Sequence, residues 1–163
     1  MTKELDNIMS WYSILVDSQM ITKRMLRDYP EYIPQQSEFV ARSIPEASEL
    51  LDKSMNELND LTIVSLISVF EQHMHNYIAD LIHKQIETHK ISAYLIRRAE
   101  RDRFEEIIDA FKSETEPHIA GMVKQVYRYR NWVAHGKQNQ PPPATIDPAS
   151  AYERLSDFLQ HLH

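Results

Sequence analysis

The chain has 163 residues and only two glycines, where average usage of about 7% would give about eleven. Sandwiches, barrels, Rossmann folds and P-loops spend glycine on turns and phosphate loops, so the shortage disfavours them. Cysteine is absent. This excludes a disulfide framework, a thiol nucleophile and a cysteine-based zinc site, and it fits a reducing compartment. No apolar run approaches the ~18 residues of a membrane span. The best candidate, Leu61 to Phe70, is interrupted by Thr62, Ser65 and Ser68. Glu4 and Asp6 stand where a secretory segment would be apolar. These absences predict a cytoplasmic protein with no membrane partner.

Proline is missing from a long stretch as well. The eight prolines fall at 30, 34, 45, 117, 141–143 and 148, so neither proline nor glycine interrupts residues 46–116. The prolines divide the chain into helical blocks. The first runs over 3–29, and 30–45 reads as a linker. The second runs over 46–88, with a bend near Asn59–Asp60. Within it Ile63, Leu66, Ile67, Phe70, Met74, Tyr77, Ile78 and Leu81 keep the i, i+3, i+4, i+7 rule of a helix with one buried face. The third covers 91–112, with Ser92 as a candidate cap. The fourth opens on the capping-box pattern Ser113-x-x-Glu116 before Pro117 and stops at Gly136. Asp147 and Pro148 then open a last helix with the stripe Tyr152, Leu155, Phe158, Leu159 and Leu162. The expected architecture is all-α: an antiparallel bundle of about four to six helices. It forms a single domain over 1–163, with a helical extension (1–58) packing on a 60–162 core.

Charge is uneven. The net charge is −6, which argues against generic binding to polyanions. Yet no acid occurs between Pro117 and Ile146, where Lys124, Arg128, Arg130 and Lys137 supply four positive charges. On a helix Arg130 lies four after Val126 and three before Val133, so it projects from the apolar stripe, where a guanidinium needs a partner. Glu71 repeats the pattern on the second block, four after Ile67 and three before Met74. The two are natural partners, either as a structural ion pair that sets helix register or as part of a site. Asn131 and His135 are i, i+4 neighbours. His135 stands beside the Gly136 stop, where a side chain reaches past the helix end.

Arg130-x4-His135, with Asn131 after the arginine and Ala134-His135-Gly136 closing the helix, resembles the HEPN superfamily (higher-eukaryote and prokaryote nucleotide-binding domains), nearest to its RiboL-PSP-like or MAE-type prokaryotic branches. Ser68-x-x-Glu71 and the proline loop before the last helix are similar too, so the resemblance covers roughly residues 60–162. Arg128/His135 and Arg154/His161 also fit an Arg-x4–6-His spacing. Only Arg130/His135 combines an inward arginine, an adjacent asparagine, a helix end and a basic window.

The resemblance implies a metal-independent endoribonuclease that works as a homodimer, with roles in toxin–antitoxin or antiviral defence and an antitoxin or other protein partner. It implies His135 as acid/base, Arg130 as electrostatic stabiliser, Asn131 orienting the phosphate or the imidazole, and Glu71 supporting Arg130. A non-catalytic domain that binds RNA, a nucleotide or a protein is the alternative. One branch of the superfamily continues the motif as His-x-Tyr and is modified on that tyrosine. Here Gly136, Lys137 and Gln138 follow His135, so that regulation is not expected.

Lys124, Arg128, Lys137 and Tyr129 are the candidate RNA contacts. Trp132 and Tyr127 read more simply as packing aromatics, although stacking on bases is the other option. The arginines at 97, 98, 101 and 103 alternate with acids, as on a solvated face. Histidines 73 and 75 face apart, and no Glu-x-x-His pair repeats on two helices, so neither a metal nor another cofactor is expected.

Overall fold

The computed structural model describes residues 3–86, 95–97, 99, 103–137 and 140–162. Among these the structure is all-helical, with α1 at Lys3–Asp28, a 3-10 turn at Pro30–Tyr32, α2 at Ile44–Gln85, α3 at Phe104–Ala110, α4 at Pro117–Ala134 and α5 at Pro148–His161. Helix α2 runs through Asn59–Asp60 without interruption and spans the expected boundary between extension and core. At 42 residues it is about 63 Å long by helical rise.

Several helix ends differ from expectation. Helix α2 starts at Ile44 rather than 46, because Ser43 and Glu46 form a reciprocal capping box and Pro45 is tolerated in the first turn. The Ser43 amide donates to Glu46 Oε2 at 2.8 Å. The box expected at Ser113 and Glu116 does not form. Pro117 forces Glu116 into an extended conformation (ψ 136°), so the helix begins only at Pro117 and has no side-chain cap. Arg103 is also extended (ψ 134°), so the helix expected over 91–112 is not continuous. Ser92, Arg98 and Arg101 lie outside the described residues. Asp147 caps α5 as expected, with its Oδ1 accepting from the Ser150 amide at 2.9 Å.

The core forms around the apolar stripe of α2. Ile63, Leu66, Ile67, Phe70 and Met74 are fully buried against Val123 and Val126 of α4, Leu155 and Phe158 of α5, and Leu5 of α1. Phe70 is the hub. Its ring meets Phe104 edge-on at 5.9 Å and Phe158 edge-on at 5.6 Å, joining α2, α3 and α5. Tyr77 donates to the Leu162 carbonyl at 2.9 Å and secures the end of α5. A second, smaller cluster of Leu26, Ala47 and Leu51, with Ile33 and Phe39, closes the other end of the α1–α2 pair.

The two clusters differ in size, and so will their mutants. Phe70→Ala is expected to cost about 3–5 kcal/mol, and Leu51→Ala about 2 kcal/mol, at the low end of the range for a leucine. Urea denaturation followed by circular dichroism measures both. Equal losses would show that the stability is not centred on Phe70.

Candidate functional site

Helix α4 carries the basic window, and its cations do not face open solvent as a group. Arg130 sits beside Glu71 of α2 with a guanidinium nitrogen on the carboxylate. The two side chains are 21% and 23% exposed, so the pair is mostly withdrawn from water. Arg130 also donates from Nη1 to the Asn131 amide oxygen at 3.0 Å, and its Cζ lies 4.9 Å from the centre of the Tyr127 ring, a cation–π contact. Its Nε is buried with no hydrogen-bond partner among the described residues. The arginine is thus held on three sides, by Glu71, Asn131 and Tyr127.

His135 is held differently. It is the residue that ends α4, with φ −90° and ψ 17°, and it is exposed. Among the described residues its ring makes no hydrogen bond or ion pair. It lies five residues past Arg130, about 7.5 Å further along the axis by helical rise. The helix closes behind it with paired backbone bonds: Lys137 N–H donates to the Trp132 carbonyl at 2.9 Å and Gly136 N–H to the Val133 carbonyl at 2.9 Å. This closure needs a left-handed residue, which Gly136 supplies at φ 72°. Lys137 follows at φ 59°, also left-handed.

The expected RNA contacts lie elsewhere than on an open basic face. Lys124 pairs with Asp109 of the α3 helix. Arg128 makes a two-pronged bond to Glu105, at 3.0 Å from Nε and 2.7 Å from Nη2. Lys137 Nζ reaches Asp60 Oδ2 at 2.7 Å and Glu57 Oε1 at 3.0 Å. Tyr129 donates its hydroxyl to Asp60 Oδ1 at 2.7 Å, and its ring lies 5.5 Å from that of Trp132. All four cations of the acid-free stretch meet a carboxylate supplied from another part of the chain.

The ionisation behaviour follows. Burial, reinforced by the bond to Asp60, pushes the Tyr129 phenol up to about 12. Hydrogen bonds to Asp60 and then Glu57 push the Lys137 ammonium up. The Arg128 bonds hold Glu105 below the usual carboxylate range against the opposing effect of burial.

Asp60 is the functional-looking residue that sequence reasoning missed. It lies three before Ile63 and seven before Ile67, so it extends the same apolar stripe that marked Glu71. The same periodicity could have found it. Half-buried Glu105 and exposed Asp109 lie on a mixed-charge helix and carry no such signal. Tyr127 packs against the core, whereas Trp132 lies beside the Tyr129 ring and donates from its indole to the Gln140 carbonyl at 2.9 Å. Among the described residues, no three His, Asp or Glu side chains are grouped as metal ligands would be. No described helix is long and apolar enough to cross a membrane. The chain matches no protein family, no curated protein and no solved structure.

The pairs yield two tests. Glu71→Ala leaves a half-buried guanidinium unpaired. It is expected to destabilise by about 2 kcal/mol, below the 3–5 kcal/mol of a fully buried pair because each side chain keeps some water. The double variant Glu71→Leu/Arg130→Met should recover most of that loss in urea melts. The second test is acid titration. Glu105 is depressed in the folded state, so the unfolded chain takes up the proton first and its contribution drains away as pH falls below about 4.5. Wild type should lose thermal stability through that window, and Glu105→Gln should lose less. Parallel curves would show that the Arg128 bond contributes nothing.

Proposed function

We propose that the chain is a HEPN-type, metal-independent endoribonuclease that acts as a homodimer in the cytoplasm, with toxin–antitoxin or antiviral defence as its setting. The observation that carries this reading is the contrast between the two motif residues. Arg130 is anchored by Glu71 and Asn131, while His135, one turn and a half further on, is exposed at the helix end with no ring hydrogen bond among the described residues.

In the proposed reaction the His135 imidazole takes the proton of a ribose 2′-OH. The 2′ oxygen attacks the adjacent phosphorus, and the bond from phosphorus to the 5′ oxygen breaks. The products are a 2′,3′-cyclic phosphate and a 5′-OH, the latter completed by a proton from an imidazolium. Arg130 offsets the charge that builds on the phosphoryl oxygens. A guanidinium has five N–H donors. Glu71 and Asn131 occupy one hydrogen on Nη2 and one on Nη1, which leaves one on each for a phosphate. A single histidine cannot serve both oxygens at once, so His135 of a second copy is the natural source of the second proton.

A second reading has its own support. Lys124, Arg128 and Lys137 are each paired with a carboxylate, which leaves little unpaired charge on this face to hold an RNA backbone. This weighs against RNA cleavage on this face and leaves the alternative, a non-catalytic HEPN-type domain that binds a nucleotide, a protein partner or RNA by another face.

Labelled RNA incubated with wild type, Arg130→Ala and His135→Ala separates the two. Wild type should yield cyclic-phosphate ends without added metal. Each variant should fall by about 100-fold or more. Equal rates in all three overturn the site, and retention of RNA without cleavage supports the second reading.

A further inference from the structure

We infer that Lys137 is a positioning residue: its ammonium, clamped between Asp60 and Glu57 of α2, holds the turn that carries His135 in place at the end of α4. The inference goes beyond the ribonuclease reading, which assigns Lys137 to RNA, and rests on it only for its consequence in catalysis.

The starting point is that the ring of His135 has no tether of its own among the described residues, so its place is set by its backbone. That backbone lies in an expensive conformation. Two successive residues, Gly136 and Lys137, are left-handed at φ 72° and φ 59°. Glycine adopts this freely, but a residue with a Cβ is strained there. Something must hold Lys137 in it, and its side chain does. Nζ lies 2.7 Å from Asp60 Oδ2 and 3.0 Å from Glu57 Oε1.

The other end of the strap is firm. The Asp60 side chain is only 6% exposed, and a buried carboxylate needs both a cation and hydrogen bonds. Lys137 supplies the cation. Tyr129, from the last turns of α4, donates to the other oxygen at 2.7 Å. Asp60 therefore joins α2 both to the body of α4 and to the turn beyond it. The same Nζ lies 6.0 Å from the centre of the Trp132 ring, whose indole donates to the Gln140 carbonyl at 2.9 Å. Of the three ammonium hydrogens, Asp60 and Glu57 take two, which suits a strap better than a phosphate contact.

The test uses the full chain and two readouts. The first is amide hydrogen exchange at His135, Gly136 and Lys137, compared among wild type, Lys137→Met, Lys137→Gly and Lys137→Arg. Lys137→Gly keeps the left-handed turn easy while removing the whole side chain, so faster exchange there reports the lost ammonium clamp rather than backbone strain. Loss of a charged hydrogen bond should speed exchange at these three amides by roughly tenfold or more in the Met and Gly variants. Lys137→Arg should restore protection. The second readout is kinetic: kcat for RNA cleavage should fall in Met and Gly while RNA affinity and its salt dependence stay at wild-type values. Unchanged exchange in Lys137→Gly overturns the proposal. So does weaker RNA binding with a shallower salt slope and intact exchange, which would make Lys137 a phosphate contact. If wild type does not cleave RNA, the ribonuclease reading fails, and the exchange result still decides the strap.

Discussion

Two carboxylates of α2 receive Arg130 of α4 and Lys137 of the turn beyond it, and the arrangement of the site follows from those pairings. Glu71 takes Arg130, while Asp60 takes Lys137 and the Tyr129 hydroxyl. Apolar packing around Phe70 brings the two helices together. Packing alone leaves room for a helix to slide or turn on its neighbour. Mostly buried charges do not, because moving either helix would strand an unpaired ion in a region poor in water. Helix α4 is therefore registered on α2 at two separated points, with Arg130 at one and the exit turn at the other.

This registration divides the motif into a fixed part and a free part. Arg130 is committed to Glu71, Asn131 and the face of Tyr127. His135 is exposed at the helix end. This division suits the roles that the proposed reaction gives the two residues: an electrostatic stabiliser works best when it is already in position and does not have to reorganise. A proton carrier needs access to substrate and solvent. The same pairing also lowers the positive charge of the window, since Lys124 and Arg128 are bound to Asp109 and Glu105 of α3. The basic stretch that stands out along the chain is a nearly neutral seam in three dimensions.

Much of the helical framework was legible along the chain. The stripe from Ile63 to Met74, the Asp147 cap and the Gly136 stop depend on neighbours within a turn or two, so periodicity and local capping chemistry reveal them. The inward positions of Arg130 and Glu71 came from the same periodicity. Ser113 shows where local pattern misleads: its capping box is overruled by Pro117, which makes Glu116 extended. Asp60 falls where the sequence suggests a bend, although its spacing from Ile63 marks it as inward-facing in the same way as Glu71.

Periodicity and capping could say that α4 carries cations with no acid nearby and that one of them points inward. They could not say which carboxylates would meet those cations. Lys137 and Asp60 are 77 positions apart in the chain, and Arg130 and Glu71 are 59 apart. Local rules act over one or two helical turns, whereas a charge pair forms wherever packing brings two helices close. Helix type and inward faces are short-range properties and were open to reading. The neutralised seam, and the strapped turn beneath His135, belong to the packing of α4 on α2 and α3.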